Sequence, residues 1–407
     1  MPDHDAASFL GVLRDHLSAH DRHLAFLLGA GTSSCINIAP HNPETGHQEL
    51  HQPLIPAVWG LTTECRAAVA SLGEEHASVW DQLRDECVSL GSEPHIESLL
   101  DRVRAKIEAL AEGDSLSGLT RAEWEAIDGA IRQKIAKLAA PDISTLPREI
   151  PHHRFARWIR NTVRKTPVEI FTTNYDILLE ASFDLLRVPH FDGFIGSQHA
   201  YFSPEAVEND ELLPSPTWIR YWKLHGSVTW SEETIAGKKR ITRGHPKDSG
   251  EMVLPSYKKY DQSKKLPYRA LMDRLGRVLA RPNALLVVAG FSFGDQHINA
   301  IILDALNRYP TTHLIALMYS DVSESDEPSK WAEDYPNIMY VGPNGGVLRR
   351  QFGHWSSGGR DEHALEAVTT GFAELDVGDS SKAKLGLGDF NVFGRFLNSL
   401  AGGGETR

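Results

Sequence analysis

The stretch Val168–Glu180, VEIFTTNYDILLE, decides the fold. Val168 to Thr173 is apolar and β-branched, the composition of a strand. Its alternation is weak, as in a strand buried on both faces of a parallel sheet. Asn174-Tyr175-Asp176 breaks the run. From Ile177 onward apolar residues recur at helical spacing, which predicts a helix with Asp176 at its N-cap. The product is a strand, a polar corner and a helix, and in open α/β sheets ligands bind at such corners. Taken alone, Asn174 and Asp176 suit turn-building and capping as well as they suit ligand binding.

The same pattern recurs on either side. Leu24–Leu28 (LAFLL) reads as a compact strand running into Gly29-Ala30-Gly31-Thr32-Ser33-Ser34. A strand followed by Gly-x-Gly and a helix start lets backbone N–H groups approach a pyrophosphate, because a Cβ would block the turn. The dinucleotide fingerprint is incomplete: its third glycine falls at Ser34, and the acid Glu49 lies in a loop and not at the end of a second strand. Ala284–Ala289 (ALLVVA) is another buried strand, followed by Gly290-Phe291-Ser292-Phe293-Gly294-Asp295 and a helix over Ile298–Leu306. Trp218–Val228 (WIRYWKLHGSV) reads as a strand ending at Leu224-His225-Gly226-Ser227. A histidine there faces a cleft and suits proton transfer, although a lone histidine is more readily explained by hydrogen bonding within the sheet.

Working outward, residues 1–23 read as a helix carrying Phe9, Val12, Leu13 and Leu17. Residues 56–140 form the largest helical block, with periodic stretches at Ala57–Leu72, His76–Leu90, His95–Leu110 and Arg121–Leu138. They read as an insertion that packs on the sheet and lids a cleft. Pro141–Pro151 is a linker and Arg154–Arg164 a basic amphipathic helix. Trp230–Val253 reads as a hairpin turning at Ala236-Gly237-Lys238, and Leu266–Leu279 as a helix. Two further strands are expected at Thr312–Tyr319 and Asn337–Gly342. Past Gly345 the pattern weakens, and Phe390–Leu400 reads as a packing or subunit-contact piece.

Composition narrows the function classes. The chain has 407 residues, 41% hydrophobic and 24% charged, as expected of a globular protein with one large domain and a substantial insertion or second domain. Its opening residues do not form a signal peptide and no apolar run approaches a membrane span, so a cytoplasmic location is expected. A net charge of −12 disfavours direct nucleic-acid binding. The basic clusters Lys238-Lys239-Arg240-Arg243, Lys258-Lys259 and Lys264-Lys265 read as solvated loops. Cys35, Cys65 and Cys87 form no C-x-x-C pair, against a disulfide framework or a cysteine zinc site. His47 and His51 have ligand spacing, but with His41 they fall in a proline-bearing loop without a paired acid, so no metal is expected there.

Taken in order, Gly-Ala-Gly-Thr-Ser, Thr-Thr-Asn-Tyr-Asp, Leu-His-Gly-Ser and Gly-Phe-Ser-Phe-Gly-Asp resemble the motifs of the sirtuin superfamily, over roughly residues 24–345. More narrowly the chain resembles the sirtuin-like NAD-hydrolysing proteins of bacterial anti-phage defence, to which Ile96-Glu97-Ser98-Leu99-Leu100 is also similar. The resemblance implies an α/β fold, a Rossmann-like parallel sheet with helices on both faces plus a large helical insertion. It divides the chain into a sirtuin-like NAD-binding domain (1–55 and 141–345), a helical insertion or lid (56–140) and a C-terminal segment (346–407) that could mediate assembly.

The resemblance also implies residue roles. Asn174 positions the attacking oxygen and His225 is the catalytic histidine. Gly29, Ala30, Gly31, Thr32 and Ser33 hold pyrophosphate and ribose. Asp176 lies on the nicotinamide side, Thr173 is also NAD-binding, and Gly290, Ser292 and Asp295 hold the adenosine half, Asp295 being equally explained as a helix cap. The paired C-x-x-C zinc module and the Gly-x-Pro-Asp-Phe-Arg segment of the deacylases are missing, so NAD without zinc is the expected cofactor, as substrate. The implied activity is NAD hydrolysis to ADP-ribose and nicotinamide. The alternatives are a sensor or scaffold subunit that binds NAD or ADP-ribose, and a zinc-free protein deacylase. A homo-oligomer and a HerA-type ATPase partner are implied as well.

Overall fold

A computed structural model describes residues 3–40, 48, 50–215, 217–235, 237–246 and 267–401. Six parallel strands form its centre: β1 (Leu24–Leu28), β2 (Glu169–Thr172), β3 (Ile219–Lys223), β4 (Leu285–Ala289), β5 (His313–Leu317) and β6 (Ile338–Gly342). Their order is β3-β2-β1-β4-β5-β6, every neighbouring pair parallel. This is the doubly wound Rossmann order, in which the direction of strand addition reverses between β1 and β4 and leaves a crevice at their carboxyl ends.

The strands are apolar on both faces because both faces are covered. Phe26 and Leu28 of β1, with Ile170 and Val287, join one core with Phe9, Leu13, Phe155 and Phe393. Ala25 and Leu27, with Phe171, Trp222 and Val288, join a second core with Leu271, Leu275 and Ile302. Successive side chains of one strand thus enter different cores, which erases polar alternation. Glu169 is the charged exception in β2. It is 1% exposed, and its carboxylate accepts from Trp222 Nε1 at 2.6 Å and pairs with Arg274.

The helical block contains helices at Val58–Ala70, Glu74–Ser89, Ile96–Ala109 and Arg121–Ala139, close to the predicted stretches. It buries a third core of its own around Trp80, Leu99, Trp124 and Ile131. Val228, Tyr175 and Ile177 join this core, so the block meets the sheet next to the Asn174 and His225 corners.

Several boundaries differ from expectation. The first helix is Ala6–Ser18 and Val12 is on its exposed side. The helix expected at Arg154–Arg164 runs Pro151–Asn161, because Pro151 fits the first helical turn, where its missing N–H costs nothing. Strand β3 stops at Lys223, so His225 lies in the turn beyond it. Trp230–Ile235 and Lys238–Arg243 pair as the expected hairpin, with Lys239 on Glu232 at 2.6 Å across it. Ala236, the hairpin's extension toward Val253 and the two lysine pairs at 258–265 lie outside the described residues.

After β6 the chain adds antiparallel strands at Gly345–Leu348 and Gln351–Ser356. It ends in a helix at Phe390–Leu400, whose Phe390, Phe393, Phe396 and Leu397 are buried in the first core. Among the described residues no helix is long and apolar enough to cross a membrane.

Candidate active site

The glycine corners after β1 and β4 lock into one another. Gly29 N donates to Ala289 O at 3.0 Å and Gly31 N to Gly290 O at 2.9 Å. A Cβ on Gly29 would lie 2.4 Å from Gly290 O, and one on Gly290 would lie 2.5 Å from Thr32 N. Gly290 has φ +65°, which glycine adopts without strain. Phe293 also has a positive φ, +59°. Its ring packs among Phe291, Trp331 and Tyr340 while its carbonyl accepts from Asn299 Nδ2 at 2.6 Å, so the surroundings hold the strained turn.

Asn174 ties β2 to the first glycine corner. Its Nδ2 lies 3.0 Å from Gly29 O, 3.2 Å from Thr32 Oγ1 and 3.0 Å from Ser33 Oγ. A backbone carbonyl only accepts, so the NH2 is the group that faces it. With the donors committed, the amide oxygen is what Asn174 can offer a bound molecule. Ser33 Oγ donates to Asp176 Oδ2 at 2.6 Å, and Asp176 Oδ1 accepts from Leu178 N at 3.0 Å. The helix Leu178–Leu185 takes Ile177 as its N-cap, so Asp176 closes the preceding turn instead of occupying the cap itself.

A lysine beneath the corner joins its two halves. Lys223 Nζ is 2.5 Å from Glu180 Oε1 and donates to Ser227 Oγ at 2.9 Å and to the carbonyls of Tyr175, at 3.4 Å, and Asp176. It thereby fixes the Asn174–Asp176 corner against the turn that carries His225. Burial raises the Glu180 carboxyl above its ordinary range, opposed by the Lys223 charge. His225 itself, 11% exposed at the side chain, places Nε2 3.0 Å from Asp295 Oδ2.

These groups open on one cavity of about 480 Å³, the size of a cofactor site. Ala30, Gly31, Ser33, Thr173, Asn174, Asp176, His225, Gly290, Ser292 and Asp295 line it. Gly29 and Thr32 do not line it; they stand behind its wall and support Asn174. The opposite wall comes from the helical block: Val58, Leu61, Leu100, Ile135 and Leu138 with Glu93, His95 and Glu97. Tyr175 lies between the two walls. Burial pushes its hydroxyl well above the ordinary range, and the nearby Glu97 carboxylate adds to the effect.

Residue periodicity did not single out Glu97, His95, Tyr175, Lys223 or Glu180 for the site. A lysine at the end of an apolar strand was the available signal for the Lys223–Glu180 pair. Of the loop histidines, His51 donates from Nε2 to Ser34 O at 3.0 Å, while His41, His47 and the acid Glu49 lie outside the described residues. Among the described residues no group of three or more His, Cys, Asp or Glu could hold a metal ion.

With this geometry in view, comparison with known families shows that residues 168–339 fit the model of the SIR2-like domain. The matched span runs from β2 through His225 and the second glycine corner into β6. The match supports a sirtuin-like family and, with it, an NAD-related enzymatic activity. No curated protein matches the chain.

Proposed function

We propose that the chain is an NAD glycohydrolase, cleaving the bond between ribose C1′ and the nicotinamide nitrogen to give ADP-ribose and nicotinamide. The observation that carries this reading is the convergence of Asn174, His225 and two interlocked glycine corners on one cofactor-sized cavity.

The bond places few demands on the protein. Nicotinamide leaves as a neutral molecule, so no strong acid is needed, and positive charge develops on the sugar. Asn174 can accept from the ribose or from the attacking oxygen and so orient it. His225 can take the proton. The carboxylates of Asp176 and Glu97, both on the cavity wall, favour developing positive charge. The helical wall, with its apolar Val58, Leu61, Leu100, Ile135 and Leu138, covers one side of the site. Backbone N–H groups of the glycine corners suit the pyrophosphate.

The test is nicotinamide release from NAD by the purified chain, beside Asn174→Ala and His225→Ala. Release by the wild type and loss in both variants is the expected result; full turnover by Asn174→Ala would overturn the assignment. Tight NAD binding without release would instead favour a sensor subunit.

The resemblance extends the proposal to NAD depletion in the cytoplasm during anti-phage defence, by a homo-oligomer working with a HerA-type ATPase. Light scattering tests the oligomer, which a monomer at micromolar concentration would refute. Co-purification with the ATPase tests the partner.

A further inference from the structure

The two carboxylate oxygens of Asp295 have separate partners. Oδ1 accepts from His297 N at 2.9 Å and Ile298 N at 3.3 Å, capping the helix Gln296–Arg308. Oδ2 faces His225 Nε2 at 3.0 Å. A helix cap alone needs only the first set. The side chain is 6% exposed, and a buried carboxylate is tolerated where it is paired and hydrogen-bonded; the helix N-terminus and the imidazole together provide this.

We infer that Asp295 is a positioning residue for the proton acceptor: it holds His225 as the Nε2–H tautomer and thereby leaves the Nδ1 lone pair as the base. An ionised carboxylate only accepts hydrogen bonds, so the ring nitrogen facing it must carry the proton. In a neutral imidazole the other nitrogen is then bare. As a mechanistic step this rests on the hydrolase reading. The O–H bond of the attacking water breaks and its proton bonds to Nδ1. The oxygen keeps that electron pair and bonds to C1′, and nicotinamide leaves with the pair of the C1′–N bond. The imidazolium that remains faces the Asp295 carboxylate, which stabilises it without taking its proton.

Asparagine at this position separates capping from positioning. In Asp295→Asn the amide oxygen can still accept from His297 N and Ile298 N, but the amide NH2 replaces Oδ2 and donates toward Nε2. Nε2 must then accept, which moves the ring proton to Nδ1 and removes the base. The expected result in the full chain is a loss of kcat of about 10²–10⁴-fold that exceeds any change in NAD affinity, on the logic of triad asparagine variants. The direct readout is ¹⁵N NMR of histidine-labelled protein, with His225 assigned by its loss in His225→Gln. Wild type should show protonated Nε2 and Asp295→Asn protonated Nδ1. Protonated Nδ1 in neutral wild-type His225, or wild-type kcat in Asp295→Asn, would overturn the inference. Wild type that binds NAD without cleaving it would remove the hydrolase reading while the tautomer measurement still decided the role of Asp295.

Discussion

Replacing Lys223 with methionine tests what holds the site together. The lysine side chain is 3% exposed, and its ammonium serves Glu180, Ser227 and two backbone carbonyls of the Asn174 corner. Methionine keeps much of the apolar stem and removes the charge and every donor. Glu180 is left with the Tyr221 hydroxyl, which donates to Oε2 at 3.2 Å. Removing one partner of a buried ion pair costs about 3–5 kcal/mol. The Glu180 side chain retains 22% exposure, so water recovers part of that cost and roughly 2–4 kcal/mol is expected.

The dependence on pH has a definite sign. Burial already raises the Glu180 carboxyl above 4.5, and Lys223 is the main influence holding it down. A carboxyl raised in the folded state contributes stability below its unfolded pKa and loses that contribution as pH rises through its folded value. Removing Lys223 raises the folded value further and widens this window upward. The deficit of Lys223→Met is therefore largest at neutral pH and shrinks toward pH 4.5, where Glu180 takes up a proton. Urea unfolding followed by tryptophan fluorescence at the two pH values measures it, and Lys223→Met/Glu180→Gln should recover most of the loss. A single variant within about 0.5 kcal/mol of wild type at neutral pH, the range of an ordinary surface change, would refute the reasoning. So would a deficit that acid leaves untouched.

Gly290→Ala should abolish NAD binding by calorimetry, because its Cβ meets the backbone of Gly31 and Thr32, which no rotamer can relieve. Gly237→Ala is the control, with φ +76° but open space around its Cβ; it should cost about 1 kcal/mol in strain and leave binding unchanged. Burial pushes the Cys65 thiol up to about 12 and raises Cys87 and Cys35 as well, so none should react with a disulfide reagent in the native protein, while all three should react in urea. Prompt labelling without denaturant would contradict this. Glu97→Gln should lower kcat for nicotinamide release more than it weakens NAD binding, if the carboxylate on the helical wall favours charge on the sugar; an unchanged kcat would remove Glu97 from the site.

Much of this architecture is written locally. Leu24–Leu28 is a strand at the predicted boundaries because five consecutive apolar residues end in Gly29. The four helices between 58 and 139 follow from apolar spacing and intervening breakers. The polar corners could be located because each interrupts an apolar run. The first-turn proline of Pro151–Asn161 and the early end of β3 were displaced from expectation by single residues whose effect depends on their neighbours.

Tertiary structure alone decided which groups act together. A hydrogen bond between His225 and Asp295 joins positions seventy residues apart, and local composition is equally compatible with Asp295 as a helix cap only. Lys223 reads as one cation in an apolar strand until the fold sets Glu180 and the carbonyls of Tyr175 and Asp176 around its ammonium. Glu97 reaches the cavity because the helical block packs on Tyr175 and Val228. Secondary structure is governed by interactions within a few residues, which a sequence displays directly. Donor–acceptor pairing, burial and the facing of two walls across a cavity arise only when distant segments share one volume.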